Sequence, residues 1–301
     1  MNELQPLVYA IVLNWNRPDD TYACLASLAR SDYPALKILV VDNGSGPEQV
    51  RMLRAHEFDI EILWLERNYG FAEGNNRGIQ YALEHGADFV LLINNDTTVD
   101  PGMVSELMRM VQLDPLVGVE GPIIYYADLP DKVWFAGMRF RRNLYVVRRG
   151  LHLKPPLKPV EEVDFISGCG MLIRRSVLER IGFLSPDYFM YYEDLDFCVR
   201  AKQAGFKLMC ATQARMWHKV SASTGGVDSP LKQYYQVKSS LIFYRRHTHG
   251  IMYWLNVLLR FAHAAWATVR AVLQGRLRQE AIMHYFKGIQ EATAGDTARR
   301  A

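Results

Sequence analysis

The chain has 301 residues, of which 50% are apolar, 12% aromatic and 22% charged. This composition indicates a globular protein and not a disordered one, and the length allows a substantial core in one elaborated domain or two small ones. The net charge of +3 is too small to indicate nucleic-acid binding by itself, so we expect no nucleic-acid partner.

The cysteines and the N-terminus bear on the cellular compartment. Cys24, Cys169, Cys198 and Cys210 form no CxxC pair, so we expect buried free thiols in a reducing compartment. The first residues, MNELQPLVYAIVLNWN, lack a basic region followed by a long apolar stretch and a small-residue cleavage site. A signal peptide is therefore not expected, and we predict cytoplasmic residence.

The first third of the chain alternates short apolar runs with amphipathic patterns. The predicted strands are residues 8–13, 36–41, 60–65 and 89–93. The predicted helices are residues 19–30, 47–56, 73–85 and 101–113. Four β–α units with nearly continuous apolar strands predict a parallel sheet covered by helices.

The elements that follow are less regular. Residues 117–150 predict irregular strands, and the Pro-rich stretch LHLKPPLKPVEE predicts a loop. After the apolar segment FISGCGMLI we expect a helix that ends before Gly182 and a second helix from about Glu193 to Ala204. FKLMCA predicts another strand, which leads into TQARMWHK.

Residues 235–275 form the last organised block, and its pattern is that of an amphipathic helix. At 100° per residue, a polar arc of roughly 80° contains Asn256, Arg260, His263, Arg270 and Gln274. A membrane-spanning helix would bury two arginines and a histidine, so we reject that interpretation. Two others remain open. The helix lies in a bilayer interface with Trp254 and Trp266 at the boundary, or it packs its apolar face on the domain or on a second subunit as a homodimer.

Basic residues concentrate in two parts of the chain. From Arg245 to the end there are nine basic residues and three acids. A mid-chain segment has seven basic residues and no acid: Arg139, Arg141, Arg142, Arg148, Arg149, Lys154 and Lys158. Both segments suit anionic lipid or phosphate groups, and a solvated basic surface is the alternative.

Polar clusters follow all four predicted strands of the first third. Each could be a turn, but ligands bind beyond the carboxyl ends of strands in open parallel sheets, so four clusters at one edge predict a site. The clusters are Asn14-Trp15-Asn16, Asp42-Asn43-Gly44-Ser45, the stretch from Glu66 to Asn76, and Asn94-Asn95-Asp96.

These clusters suit a pyrimidine nucleotide and a diphosphate. Asn14 and Asp42 can hydrogen-bond the edge of a pyrimidine, and Trp15 is a stacking platform or a core residue. The stretch Gly70–Gly74 allows close backbone approach, and Asp96 is a hard oxygen ligand for Mg²⁺ or Mn²⁺. The stretch is not GxGxxG and no GxxxxGK[ST] occurs, so a dinucleotide site or P-loop is poorly supported.

A second cluster, YFMYYEDLDFCVRAKQAGF, begins at Tyr188. Glu193, Asp194 and Asp196 stand at the start of a predicted helix, where carboxylates also suit the helix dipole. The aromatic residues before them would desolvate a carboxylate and raise its pKa, as a general base requires. His218 follows a predicted strand and could supply a second metal ligand beside Asp96, although a lone histidine is more often a packed or surface residue.

Taken together, the motifs NWN, VDNGS, ERNYGFAEGNNRGI, INND, SGCGMLIRR and FMYYEDLDFCVRAKQAGF resemble family 2 glycosyltransferases, with His218 downstream. The rhamnosyltransferase-like branch is the most similar, and the resemblance covers about residues 8–220. It implies an α/β GT-A fold, which is a Rossmann-like, mostly parallel central sheet with flanking helices. The C-terminal amphipathic helical segment is additional.

The resemblance also implies roles for individual residues. Asp96 matches the metal ligand of a DXD-type motif, His218 a second ligand, and Asp194 the catalytic base with Glu193 beside it. The residues expected at the nucleotide sugar are Asn14, Asp42, Asn43, Asn68, Gly70, Gly74, Asn75 and Asn95. Two positions depart from the family pattern: Asn94 leaves a single acid in the metal motif, and Gly46-Pro47 follows VDNGS.

The function implied is inverting transfer of rhamnose or a similar hexose from a dTDP- or UDP-sugar to a glycan or lipid-linked glycan hydroxyl, with Mg²⁺ or Mn²⁺. We expect residues 1–115 to bind the nucleotide sugar, residues 116–230 to bind the acceptor, and residues 231–301 to form a basic, helical segment. This segment is expected to meet an anionic membrane or a second subunit, at the inner face of the plasma membrane.

Other classes fit less well. NNDTTVD faintly resembles the loop of haloacid dehalogenase-like phosphatases, but Asn94 stands where their nucleophilic Asp would be. A sugar nucleotidylyltransferase would need a Gly-rich basic loop after strand one, which is missing. A non-catalytic nucleotide-sugar-binding protein remains the main alternative.

Overall fold

A computed structural model describes residues 5–55, 57–140, 144–145, 158–220, 229–273 and 279–294. The described residues contain ten strands and nine helices. The strands are β1 (Val8–Asn14), β2 (Leu36–Asp42), β3 (Glu61–Trp64), β4 (Phe89–Asn94), β5 (Thr97–Val99), β6 (Val117–Tyr126), β7 (Val133–Phe135), β8 (Val160–Val163), β9 (Gly170–Arg174) and β10 (Lys207–His218). The helices are α1 (Pro18–Leu28), α2 (Pro47–Arg54), α3 (Gly70–Glu84), α4 (Met103–Leu113), α5 (Arg175–Ile181), α6 (Glu193–Gln203), α7 (Pro230–His247), α8 (Gly250–Leu273) and α9 (Gln279–Ala294).

All ten strands belong to one sheet, with the order β3-β2-β1-β4-β9-β6-β10-β5, while β7 pairs with β6 and β8 with β10. Strands β1 to β4 are parallel to their neighbours within this group, which confirms the predicted parallel half. Asn14 pairs with Asp42, and Leu13 with Asn94, so the polar strand ends lie at one edge. The register alone therefore assembles the predicted clusters.

The second half of the sheet is mixed. Strand β9 is antiparallel to both β4 and β6, whereas β10 is parallel to β6. Strand β10 continues through TQARMWH to His218, further than the sequence pattern predicted, and its register with β6 shifts between Ala211 and Arg215. This irregularity interrupts the apolar alternation that would have marked a single long strand.

The core is built on the central strands of the parallel half. Residues Val8–Val12 of β1 are completely buried. Helix α3 lies close against this strand because Gly78 has no side chain; a Cβ atom there would be 2.7 Å from Ile11 Cγ2 and 2.9 Å from Val41 Cγ2. Close helix–sheet packing keeps the backbone around the first strand ends in fixed positions.

The chain forms two compact units. The sheet unit comprises residues 1–139, 149–186 and 193–223, and the helical unit comprises residues 140–148, 187–192 and 224–301. Most of the basic mid-chain segment lies outside the described residues, namely Arg141, Arg142, Arg148, Arg149 and Lys154.

In the helical unit, α7 and α9 pack together through Val237, Leu241 and Ala292. The predicted single block at 235–275 is two helices, α7 and α8, separated at Thr248-His249. The described part of the chain contains no helix that is long and apolar enough to cross a membrane.

Helix α8 is oriented with a polar side chain inward. Asn256, from the predicted polar arc, is 1% exposed, and its Oδ1 accepts a 2.8 Å hydrogen bond from the backbone N–H of Tyr145. The opposite face exposes large apolar side chains: Ile251 80%, Trp254 67%, Leu258 64% and Trp266 59%. These apolar side chains are therefore not covered by the described residues of the helical unit. Gln274, the last residue of the arc, lies outside the described residues.

Candidate active site

The first two strand ends are joined by side-chain hydrogen bonds. Asn14 is fully buried, and its Nδ2 donates to Asp42 Oδ1 over 2.7 Å. Asn14 Oδ1 accepts from the hydroxyl of Thr21 at 2.8 Å and, more weakly, from Asn95 Nδ2 at 3.3 Å. The ends of β1, β2 and β4 are thus held together by one buried polar network, which fixes the Asp42 carboxylate at the mouth of the site.

The loop after β2 is folded around the same carboxylate. Ser45 donates its hydroxyl to Asp42 Oδ1 over 2.6 Å and its backbone N–H to Oδ2 over 3.1 Å. Gly44 has φ of 71°, and a Cβ atom there would lie 2.3 Å from the carbonyl carbon of Arg67. Only glycine fits this position, because the conformation is left-handed and the neighbouring backbone leaves no room.

A second polar network connects β2 to the start of α3. Asn43 Nδ2 donates to Asn68 Oδ1 at 3.1 Å and to the carbonyl of Gly70 at 3.0 Å. Asn75 is 1% exposed and donates to the carbonyl of Phe71 within the helix. Gly74 packs against the sheet, since a Cβ atom there would meet Leu13 Cδ1 at 2.8 Å and Asn43 Nδ2 at 3.0 Å.

The two predicted metal ligands lie side by side. Asp96 Oδ1 is 3.0 Å from His218 Nε2, and the residues are 3% and 5% exposed. Strand pairing produces this contact, because His218 at the end of β10 pairs with Thr97. Two neighbouring ligands of an octahedral ion, each about 2.1 Å from it, lie ~3.0 Å apart, so the pair fits a divalent cation.

The pair would supply only part of a coordination sphere. No third carboxylate, histidine or cysteine joins it to form a metal-binding group within the described ranges. The buried Asn94 Oδ1, two residues before Asp96, has no hydrogen-bond partner among the described residues. An ion held here would take its remaining ligands from water or from a phosphate-bearing ligand.

An aromatic residue that the sequence did not single out lies against this pair. The Trp134 indole contacts the His218 imidazole edge to face, with ring centroids 4.9 Å apart. Trp134 Nε1 and His218 Nδ1 are buried and lack hydrogen-bond partners in the described part of the chain. Such unsatisfied groups are costly, which is consistent with a polar ligand that completes them.

The acidic cluster forms the first turn of α6, as predicted. Asp194 Oδ2 accepts from the N–H of Gly168 at 3.0 Å, and its Oδ1 accepts from the N–H of Leu195 at 2.8 Å. Burial raises the pKa of Asp194 to about 6, although the hydrogen bonds from these N–H groups act in the opposite direction and lower it. Burial and the charge of Asp194 raise the pKa of Glu193 well above its ordinary value. Asp196 serves a different purpose, since its buried carboxylate forms an ion pair with the partly exposed Arg200 at 2.7 Å.

A short backbone link connects Asp194 with the end of β4. The N–H of Gly168 binds Asp194, and the carbonyl of the next residue, Cys169, accepts from the N–H of Asn94 at 3.2 Å. The carboxylate with the raised pKa and the Asp96–His218 pair therefore belong to the same edge of the sheet unit. One group can hold or accept a proton, and the other can hold a cation.

The backbone before α6 is strained. Tyr191 and Tyr192 have φ of 67° and 71°, in the left-handed region that non-glycine residues rarely adopt. Such conformations cost about 1–3 kcal/mol each and persist where the surrounding structure enforces them, often at functional sites. They immediately precede Glu193 and Asp194.

A family model described as "Glycosyltransferase like family 2" matches residues 5–236 of the chain. The chain belongs to this glycosyltransferase family. The match confirms the resemblance carried by the sequence motifs, and it spans every site residue described above.

Three relatives of this glycosyltransferase have names that describe sugar transfer. It is 25% identical over 94% of its length, and 91% of the relative's, to the "Low-salt glycan biosynthesis hexosyltransferase Agl10" of Haloferax volcanii. It is 22% identical to the "dTDP-rhamnosyl transferase RfbF" of Shigella flexneri, over 80% of each chain. It is 28% identical to the "N-acetylglucosaminyl-diphospho-decaprenol L-rhamnosyltransferase" of Mycobacterium tuberculosis, over 67% of its own chain and 72% of the relative.

The fold of the glycosyltransferase is similar to solved GT-A structures. A mannosyltransferase from Pyrobaculum calidifontis, solved in complex with GDP-Man and Mn²⁺, superposes with a TM-score of 0.60 at 16% identity. The similarity covers 96% of this chain and 81% of that one. The predicted GT-A fold with an additional C-terminal helical segment is thereby confirmed.

Three residues of the site were not predicted individually from the sequence. Thr21 completes the polar network beside the predicted Ser45, Gly168 binds Asp194, and Trp134 lies against His218. Gly168 lies in the motif SGCGMLIRR, so this glycine carries a usable sequence signal. Trp134 gave none, because its contact with His218 depends on the pairing of β7 with β6, which local pattern does not reveal.

Proposed function

We propose that this glycosyltransferase moves rhamnose or a similar hexose, with inversion, from a dTDP- or UDP-sugar to a hydroxyl of a glycan or lipid-linked glycan. The observation that carries the proposal is the arrangement at one sheet edge of a carboxylate with a pKa raised to about 6, Asp194, and a buried Asp96–His218 pair. The names of the relatives support the sugar and the class of acceptor.

The donor nucleotide is proposed to bind at the ends of β1, β2 and β3. The fixed carboxylate of Asp42 and the amide of Asn43 would recognise the base and ribose, and Asn14 would act through its hydrogen bond to Asp42. The remaining residues proposed around the nucleotide and diphosphate are Asn68, Gly70, Gly74, Asn75 and Asn95. Because Gly74 and Asn75 are turned to the sheet and the helix, they would shape this wall without touching the ligand.

A divalent cation, Mg²⁺ or Mn²⁺, would be held by Asp96 and His218. When bound, it would neutralise negative charge on the leaving nucleotide diphosphate. With only two protein ligands, its affinity in the absence of the donor should be modest.

The transfer step requires a single general base, which is Asp194. Asp194 accepts the proton of the acceptor hydroxyl, the hydroxyl oxygen forms a bond to the anomeric carbon, and the bond from that carbon to the diphosphate oxygen breaks. Attack from the face opposite the leaving group inverts the configuration, and no enzyme nucleophile is required. Glu193, with its raised pKa, would stay protonated beside Asp194 and keep a second negative charge away from it.

The acceptor is proposed to be attached to a lipid diphosphate at an anionic membrane surface. The exposed apolar face of α8 carries Trp254 and Trp266, residues that favour the bilayer interface, and α9 exposes Met283 and Phe286. The excess of basic residues after Arg245 complements anionic headgroups. A homodimer through the same face is the alternative, and binding to vesicles together with the oligomeric state of the chain distinguishes the two.

The decisive experiment is a panel of nucleotide diphosphate sugars, scored by acceptor-dependent release of nucleotide diphosphate with and without chelator. We expect release with a dTDP- or UDP-hexose, loss of release in chelator, and recovery on adding Mg²⁺ or Mn²⁺. Asp194→Asn should lower kcat by about 10²–10⁴-fold with unchanged donor affinity, since that is the usual contribution of a general base.

Asp59→Asn is the matched control, because Asp59 is an exposed aspartate of the same unit. Turnover of Asp194→Asn within a few-fold of wild type would rule out the assigned base. Donor binding without release in any acceptor mixture would instead indicate a non-catalytic nucleotide-sugar-binding protein.

A further inference from the structure

The helical unit contains a half-buried arginine that the transfer mechanism does not use. Arg260 lies on α8 next to Tyr285 of α9, with its guanidinium carbon 5.7 Å from the centre of the tyrosine ring. Arg260 Nη2 is buried and has no hydrogen-bond partner among the described residues. The Tyr285 hydroxyl is also buried and also has no hydrogen-bond partner among the described residues.

No described carboxylate of this unit neutralises Arg260. The carboxylates with described side chains in the unit are Asp187 and Glu291. Asp187 forms an ion pair with Arg246, and Glu291 forms one with Lys238 at 2.9 Å. A buried guanidinium N–H without an acceptor is unfavourable, so an anion from outside the described residues would gain by accepting a hydrogen bond from Nη2.

Two further tyrosines, Tyr192 and Tyr244, are linked to each other by a hydrogen bond and to this arginine by an electrostatic interaction. The hydroxyls of Tyr192 and Tyr244 are 3.3 Å apart, and Arg260 interacts electrostatically with Tyr244. Burial raises the pKa of Tyr244 and of Tyr285, so both hydroxyls keep their protons and can donate hydrogen bonds. Arg260 and two hydroxyl donors without an acceptor among the described residues, Tyr285 and one member of the Tyr192–Tyr244 pair, therefore interact with one another across α7, α8, α9 and the segment 187–192.

We propose that Arg260, with the hydroxyl of Tyr285 and the Tyr192–Tyr244 pair, forms an anion-binding site for a phosphate or diphosphate group. A guanidinium binds phosphate oxygens through two parallel N–H donors, and Nη2 is the donor left free for this purpose. The site uses none of the residues assigned to the donor or the metal. The phosphate comes either from a lipid diphosphate or from a soluble phosphate compound, and only the lipid source rests on the proposed function.

The first test is binding of inorganic pyrophosphate to the full chain in excess EDTA, which removes the divalent cation needed at Asp96 and His218. Thermal unfolding and titration calorimetry are the measurements. Wild type should bind and be stabilised, whereas Arg260→Leu should lose affinity by about tenfold or more, as expected for charged hydrogen bonds. Tyr285→Phe should lose about threefold to tenfold. Arg260→Lys should retain part of the binding.

The matched control is Lys287→Gln, because Lys287 is an exposed cation two residues from Tyr285 and the variant removes the same charge. Without pyrophosphate, Arg260→Leu should unfold at about the same temperature as wild type, since the loss of the contact with the Tyr285 ring is offset by removal of the unsatisfied Nη2 donor; this result also shows that the variant folds. Wild type that is not stabilised by pyrophosphate, or variants Arg260→Leu and Lys287→Gln that respond alike, would overturn the proposal.

The second test separates the sources of phosphate. Vesicles of phosphatidylcholine are compared with vesicles that also contain a polyprenyl diphosphate, and with others that contain phosphatidylglycerol. A preference for polyprenyl diphosphate that Arg260→Leu abolishes, with phosphatidylglycerol binding retained, identifies the lipid. Pyrophosphate binding without that preference identifies a soluble phosphate compound, and it leaves the glycosyl transfer assigned to the sheet unit untouched.

Discussion

At the scale of single residues, the Asp194 carboxyl group sets the expected pH dependence of transfer. Burial raises its pKa to about 6, and a general base works only when it has lost its proton. We therefore expect kcat/KM to rise with pH through about 6 and to level off above that value, in a profile measured with saturating metal. Asp59→Asn should leave the profile unchanged, and an inflection near the ordinary pKa of aspartate would contradict the assignment.

The buried carboxyl group of Glu120 sets an expected pH dependence of the free energy of unfolding. It is fully buried in β6, neither carboxyl oxygen has a partner among the described residues, and burial raises its pKa well above the ordinary 4.5. The folded chain keeps a proton that the unfolded chain releases above about pH 4.5, so stability falls as pH rises from there towards the folded pKa.

Glu120→Met should remove this loss. Relative to wild type, its free energy of unfolding should increase between pH 5 and pH 8 by up to ~1.4 kcal/mol for each pH unit below the folded pKa. Urea unfolding at several pH values measures the difference. Glu162→Met is the control, because exposed Glu162 pairs with Met209 on the other side of β10 from Glu120. Parallel pH dependences for both variants would show that burial of Glu120 carries no such cost.

At the scale of elements, the turn after β2 depends on one glycine. A methyl group at Gly44 would meet the backbone of Arg67, and its left-handed φ adds strain. We expect Gly44→Ala to lower the free energy of unfolding by about 2 kcal/mol or more, and to weaken donor binding because Asp42 and Ser45 move. Chemical unfolding and donor titration measure the two effects.

Gly86 provides the comparison for this substitution. It also has a positive φ, of 83°, but a Cβ atom there would meet nothing within 4 Å. Gly86→Ala should therefore cost only about 1 kcal/mol and leave donor binding intact. Equal effects of the two substitutions would mean that contact with Arg67 plays no part.

The sequence predicted the elements whose interactions are local. Each of β1 to β4 is followed by its own helix or turn, so apolar runs and polar ends were sufficient to locate the strand ends around Asn14, Asp42 and Asp96. The position of β9 between β4 and β6 was not predictable, because antiparallel pairing over a long separation leaves no periodic signal. Helix α8 shows a further limit: a helical wheel separates the polar from the apolar face, but it does not tell which face is turned inward.

At the scale of the whole molecule, the exposed face of α8 predicts membrane binding. Leu258→Glu places a charge in this face, and it should lower co-sedimentation with vesicles of phosphatidylglycerol and phosphatidylcholine by about tenfold. Leu113→Glu, at a residue of the sheet unit that is 71% exposed, should have no effect. If wild type does not co-sediment with the vesicles and is instead a dimer that Leu258→Glu dissociates, the face is a subunit interface and the membrane proposal is wrong.

The order of strands in the sheet has a consequence for synthesis on the ribosome. Strand β4 is paired on one side by β1, which precedes it, but its other edge is covered only by β9, whose first residue is Gly170. At 5–20 residues per second, that edge stays open for roughly 4 to 15 seconds after Asn94 is made. During this interval the nascent chain presents the unpaired apolar edge of β4 and has neither Asp194 nor His218. The edge of β4 must therefore be protected from aggregation before the chain can carry out any glycosyl transfer.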